Sequence, residues 1–180
     1  INKYHFYLQK WEDRSQTQNY KQYYVLPKAT YSPWLQDRDF MRVYETSKDY
    51  TLVDIYRCYE LWSLVNQTNK IKGNIIEVGV YRGGTGSILA GSASSDAAIY
   101  LCDTLKGVVK AGIRDNMYIG GEHSDTSEET INELFSKLGL SNFSILKGVF
   151  PEESGHLIES KFFRFCHIDV DVYQSAKDIL

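Results

Sequence analysis

Residues 74–87 read Asn74-Ile-Ile-Glu77-Val-Gly79-Val-Tyr81-Arg-Gly83-Gly84-Thr85-Gly86-Ser87, and this stretch decides the fold. Asn74–Gly79 is a short apolar run bounded by a turn signal, which predicts a buried strand. Gly84–Ala93 predicts a helix of small residues. Glycines directly after a buried strand let backbone approach a ligand, and the following helix N-terminus offers free N–H groups to an anion. Working outward, Ala98–Asp103, Asn142–Lys147 and Phe163–Asp169 predict three further strands. Ser127–Leu138 predicts an amphipathic helix with Ser127 and Glu129 or Thr130 at its start. Strand and helix in alternation at this spacing imply an α/β, Rossmann-like fold: a parallel sheet with crossover helices. Sheets of this kind bind ligands beyond the carboxyl ends of their strands, where the strand order reverses.

The chemistry-bearing residues fall at those strand ends. In the first motif, Tyr81 stands where a nicotinamide fingerprint needs its second Gly, and Thr85 stands where a phosphate loop needs Lys. What remains is an acid, Glu77, two residues before Gly79, followed by the Gly83–Gly86 cluster. That pattern suits S-adenosylmethionine, whose carboxylate would sit on the helix end and whose ammonium favours an acid nearby; a purely structural turn is the alternative. Asp103 closes the second strand and is placed to accept ribose hydroxyls or to cap a turn. His167-Ile-Asp169-Val-Asp171 ends the fourth strand. Two carboxylates leaving an apolar strand are costly unless they hold a cation or hydrogen-bond donors, and an oxygen pair suits Mg²⁺, Mn²⁺ or Ca²⁺. Gly148 and Phe150 follow the third strand and could wall an adenine or pack in the core. Residues 107–126 form a long unpatterned stretch, as lids do. It contains His123, a candidate base; His5 and His156 have no such context.

The chain has 180 residues, 43% hydrophobic and 24% charged, with 20 Lys and Arg against 23 Asp and Glu, a net charge of −3. This is a globular balance and a poor match to a phosphate backbone, so no nucleic-acid partner is expected. No apolar run is long enough to span a bilayer, and no signal peptide is visible, so a soluble, cytoplasmic protein is expected. Cys58, Cys102 and Cys166 form no metal or disulfide pattern and read as small hydrophobes. All 13 glycines lie at Gly73 or beyond, whereas 10 of the 14 tyrosines and all three tryptophans lie before it. Two zones follow: 1–72, an aromatic-rich, mainly helical extension or cap, and 73–180, the cofactor-binding domain. In the first, residues 27–40 read as loop with a short helix after Pro33. Leu52 to about Val65 reads as a helix capped by Asp49 or Thr51. Tyr31, Trp34 and Tyr44 are candidates for stacking on an acceptor, with packing the alternative, and the aromatic zone makes a homodimer plausible. The final Ser175-Ala-Lys-Asp-Ile-Leu180 resembles the opening of a helix with no stop signal, so the chain is expected to be part of a longer one.

Together IIEVGVYRGGTGS, AIYLCDTLKGV and FCHIDVDVYQSAKDIL resemble the macrocin O-methyltransferase family, and TLVDIYRCYELW resembles its lead-in helix. The resemblance runs from about Tyr31 to Leu180. The first motif is also similar to catechol-type O-methyltransferases. The resemblance implies a Rossmann-like class I methyltransferase that uses S-adenosylmethionine and Mg²⁺ to methylate a hydroxyl of a small molecule, a natural-product sugar in particular. It implies Glu77, Gly79, Tyr81, Gly83 and Thr85 around the methionine moiety, Asp103 at the ribose and Gly148 to Phe150 at the adenine. It also implies Asp169 as metal ligand near the sulfonium, with Asp171 supporting it. Tyr81 departs mildly from the Trp common in the family. The family's second acidic metal pair and last three strands are not reached in this chain. Two rival readings are a metal-dependent glycosyltransferase using Asp169-Val-Asp171 and a non-catalytic docking module.

Overall fold

The computed structural model describes residues 32–180. A 3-10 turn at Pro33–Gln36 is followed by α1 (Arg38–Ser47), a second 3-10 turn (Lys48–Tyr50), α2 (Ile55–Thr68) and β1 (Asn74–Val78). Then come α3 (Gly84–Ser92), β2 (Ile99–Asp103), α4 (Glu128–Lys137), β3 (Phe143–Lys147), β4 (Phe163–Ile168) and α5 (Tyr173–Ile179). The four strands are parallel in the order β3-β2-β1-β4. The chain therefore builds outward from β1 through β2 to β3, then returns to lay β4 on the other side of β1. The order reverses between β1 and β4, and a ligand crevice opens at such a point.

Period-two alternation sorts the strand side chains onto two faces. Ile75, Ile99 and Leu101 pack with Val65 of α2, Leu89 of α3, and Ile131, Leu134 and Phe135 of α4. Ile76, Val78 and Cys102 face the other way, against Ile158. Both faces are covered, which is why these strands read as near-continuous apolar runs. Phe40 and Val43 of α1 and Cys58 and Trp62 of α2 form a further cluster around Ile88 of α3. Trp34–Leu180 is thus one compact unit in which helices from the aromatic zone pack directly on α3.

The expected strands and crossover helices are present. Three details differ. α1 lies partly in the stretch expected to be loop; its buried face is only Phe40, Val43 and Ser47, too sparse a stripe to register as a helical period. α2 starts at Ile55, and its cap is Asp54, whose carboxylate accepts the Arg57 N–H at 3.0 Å. Thr51 instead turns the chain just before it, accepting the Val53 N–H at 3.0 Å. Finally, Cys58 and Cys102 are buried, and burial pushes both thiols up to about 12, but Cys166 on β4 is exposed. At α4 the cap is Ser127, as expected, accepting from the Thr130 N–H. Tyr31, His5 and the extension up to residue 31 lie outside the described residues.

Candidate active site

The carboxyl ends of β1, β2 and β4 converge on a cleft of about 340 Å³. Its floor is the turn after β1. Gly79 has φ +88°, and a Cβ there would collide with the Asp169 carbonyl, so only Gly lets β1 and β4 come this close at their ends. Tyr81 follows with φ 53° and lines the cleft, its hydroxyl donating to Asp125 at 3.1 Å. Gly83, φ +87°, occupies the N-cap position of α3; a Cβ there would press on Ile131 of α4, so Gly83 serves packing and does not line the cleft. Thr85 in the first turn of α3 is buried and reaches the cleft wall.

Asp103, ending β2, lines the cleft from the next strand. Its Oδ2 accepts the N–H groups of Val80 at 2.6 Å and Tyr81 at 3.0 Å, and its Oδ1 accepts that of Leu105 at 2.7 Å. Gly148 and Phe150 close the same end of the cleft. On the opposite side stand Asp169 and Asp171, just past β4. Asp171, φ 63°, turns its carboxylate toward the 104–126 loop: Oδ1 accepts the Tyr118 hydroxyl at 2.7 Å, and Oδ2 lies 3.9 Å from His123 Nε2. That hydrogen bond from Tyr118 to an anion is the main cause pushing its phenol up to about 12. His123 also meets Tyr81 and Tyr118 edge-on, with ring centroids 5.6 and 6.0 Å away.

Glu77 occupies a different place from its neighbours in the motif. It points from β1 into the helical layer with no exposed surface and does not line the cleft. Its Oε1 lies 2.9 Å from His167 Nδ1 across the β1–β4 pair, and its Oε2 has no hydrogen-bond partner among the described residues. Burial raises the Glu77 pKa against the pull of His167. Burial works against a charged His167, but the hydrogen bond and charge of Glu77 outweigh it and raise that pKa too.

The 104–126 loop is built as an ordered cover. Val108 donates to the Glu122 carbonyl at 2.7 Å and Gly121 to the Val108 carbonyl at 2.9 Å, zipping its two ends together. Lys110 ion-pairs with Glu152 and with Asp178, the latter at 2.7 Å, Arg82 ion-pairs with Asp125, and the Tyr173 N–H donates to Asp115 at 2.8 Å.

Sequence reasoning missed Tyr118, Arg57 and the Tyr50–Thr51 turn, all on the cleft wall. Tyr118 sits in an unpatterned loop and gave no signal; the turn was marked only by its position before α2. Conversely, Trp34 and Tyr44 pack on Tyr56, Tyr59 and Phe40 rather than on the cleft, and His156 is exposed in a 3-10 turn, Gly155–Leu157, and does not line the cleft. Among the described residues no three His, Cys, Asp or Glu side chains come together as a metal-ligating group. Asp169 and Asp171 have the oxygen chemistry Mg²⁺ prefers, and the two carboxylates, one already engaged by Tyr118, would supply part of a ligand set.

The family model described as macrocin-O-methyltransferase (TylF) matches residues 17–180, beginning before the point at which the resemblance was expected to start. Among solved structures, the O-methyltransferase NovP is 23% identical, with a TM-score of 0.57 over 73% of this chain and 60% of that one. CalS11, a calicheamicin methyltransferase, is 13% identical, with a TM-score of 0.59 over 84% of this chain and 73% of that one. Both likenesses establish the fold. The chain spans 60% of the length of NovP. Comparison with the curated proteins gives no match.

Proposed function

The chain belongs to the macrocin-O-methyltransferase (TylF) family, and from that premise we propose that its cleft binds S-adenosylmethionine and passes the methyl group to a hydroxyl of a small molecule, a natural-product sugar in particular. One observation carries this reading: Gly79, Asp103 and Asp169, at the ends of three adjacent strands, face a single cleft where the strand order reverses. In it, the methionine moiety lies over Gly79 and Tyr81, its carboxylate at Thr85 and the N-terminus of α3, with Gly83 shaping the turn. The ribose lies at Asp103 and the adenine beside Gly148 and Phe150. Asp103, Asp169 and Asp171 bring negative charge to the cleft, which favours a sulfonium cation. Glu77 contributes through the shape of β1 and its bond to His167.

The reaction is an in-line displacement. The acceptor oxygen forms a bond to the methyl carbon as the carbon–sulfur bond breaks, the electron pair stays on sulfur as neutral thioether, and the hydroxyl proton leaves. Alignment of the two reactants supplies much of the rate. Asp169 stands beside the reacting centre, and His123, whose Nε2 lies 3.9 Å from Asp171, is the candidate to receive the proton. Magnesium held by Asp169 and Asp171 is a further part of the proposal; the steps above do not depend on it. A cytoplasmic location and a homodimer belong to the same reading, to be tested by fractionation and light scattering.

The test is calorimetric titration of S-adenosylhomocysteine into the full-length protein, followed by methyl-transfer assays. Micromolar binding is expected, and Asp169→Ala is expected to abolish transfer while leaving that affinity within about threefold. Absence of binding would overturn the cofactor assignment. Transfer that survives both Asp169→Ala and EDTA would remove the metal from the scheme.

A further inference from the structure

Of the five non-glycine residues in the left-handed conformation among the described residues, two stand in the turns directly after the strands that floor the cleft: Tyr81 after β1, φ 53°, and Leu105 after β2, φ 55°. That conformation is unfavourable for a residue with a side chain, so something must hold each in place. In both cases it is the same group. Tyr81 donates its own N–H to Asp103 Oδ2 at 3.0 Å and Leu105 donates its own to Oδ1 at 2.7 Å, while Val80 donates to Oδ2 at 2.6 Å. Bonds to an ionised acceptor are the strong kind, and this carboxylate joins a turn 23 residues away to the turn that follows its own strand. The residues those loops carry, among them Gly79, Tyr81, Thr104 and Gly107, are cleft walls.

We propose that Asp103 is a positioning residue: its carboxylate sets the conformation of both cleft-forming loops before any ligand arrives, in addition to whatever it offers a ribose. A carboxylate has about four acceptor positions, and three are already used here by backbone. A ribose therefore meets a carboxylate largely committed to the protein, and removing Asp103 costs cofactor affinity through the shape of the cleft as well as through lost hydroxyl contacts. The geometric part stands on the cofactor-free protein; only the affinity part rests on the methyltransferase reading.

The two parts are tested separately. Amide hydrogen exchange is measured on the full-length protein without cofactor, in the wild type and in Asp103→Ala and Asp103→Asn. Asparagine keeps the size but has one acceptor oxygen, so it can serve only one of the two loops. The amides of Val80, Tyr81 and Leu105 are expected to exchange at least tenfold faster in the alanine variant, and those of at least one loop in the asparagine variant. Leu101 and Ile76 in the sheet serve as controls and should stay within twofold. Unchanged exchange at all three loop amides would overturn the proposal. If the alanine variant unfolds, the Leu101 control reports it and the asparagine variant decides. In the second arm, S-adenosylhomocysteine and its 2′,3′-dideoxy analogue are titrated into the wild type and Asp103→Asn. A loss of tenfold or more for the analogue, which has no hydroxyls to lose, supports positioning. An analogue that binds both proteins equally, while the parent compound loses affinity, would reduce Asp103 to a ribose contact. A wild type that binds neither would refute the cofactor assignment and leave the exchange result to stand by itself.

Discussion

Glu77 is a carboxylate with no exposed surface, one oxygen bonded to His167 and the other without a hydrogen-bond partner among the described residues. Burial raises its pKa, the bond to Glu77 raises that of His167, and both shifts make stability depend on pH. The raised His167 pKa contributes stabilisation that is complete below its unfolded value of about 6.5 and lost as pH rises through the folded value. The raised Glu77 pKa acts in the same direction, since the folded state favours the protonated acid and ionising it becomes a cost as pH climbs. Denaturant midpoints are therefore expected to fall as the pH rises above about 6.5 in the wild type, and to fall less in Glu77→Gln, where His167 loses its carboxyl partner. Equal slopes in the two proteins would place the pH dependence elsewhere. The motif Glu77-Val-Gly79 was legible as a strand end from residue types alone. Which face the Glu77 carboxylate takes was not, because a side chain at a strand end is free to join either the cleft or the core until its neighbours are known.

Elements owe their placement to a few shared contacts. Asp37 accepts the Phe40 N–H at 3.0 Å as the cap of α1 and the Trp62 indole N–H at 3.1 Å from α2, so one carboxylate starts a helix and ties it to the next. Asp37→Ala is expected to lower stability by about 2 kcal/mol, roughly 1 for the cap and about 1 for the indole bond. Asp37→Ser, which keeps a capping oxygen but cannot reach as far, should recover about half of that in urea denaturation. A loss below about 0.5 kcal/mol for the alanine variant would show that packing around Phe40 orders α1 unaided. The approach of α3 to the sheet depends on Gly86, where a Cβ would stand 2.7 Å from Glu77 Oε2 and 2.8 Å from Leu101 Cδ2. Gly86→Ala is expected to cost about 1–3 kcal/mol by overpacking, with a lowered thermal midpoint as the readout. A neutral substitution would mean that α3 moves away from β1 freely. The strands were legible because burial on both faces makes them apolar throughout, and α4 because its apolar stripe repeats at helical spacing. α1 was not, since three buried residues and a distant tryptophan carry it.

At the scale of the molecule, the cover over the cleft is held by polar contacts to separate elements rather than by a core of its own. Ile113, Met117 and Ile119 on it are almost fully exposed, at 100%, 86% and 94%, while Tyr118 between them turns inward to Asp171. Tyr118→Phe removes that anchor without touching the cores of the sheet. Trypsin cleavage after Arg114 is expected to quicken severalfold, with the thermal midpoint little changed; unchanged cleavage would show that the Lys110 and Arg82 ion pairs close the loop unaided. The sequence by itself determined the parallel α/β sheet and its strand-end acids, because burial period, glycine placement and cap residues are local properties written into neighbouring positions. Only the tertiary structure decided that Glu77 turns to the core, that Asp103 is engaged by two loops, that Asp171 serves the cover, and that Arg57 and Tyr118 join the cleft. Those outcomes depend on which distant donors and acceptors the strand order brings within hydrogen-bonding reach, and a hydrogen bond between residues 53 or 90 positions apart leaves no period in the chain to be read.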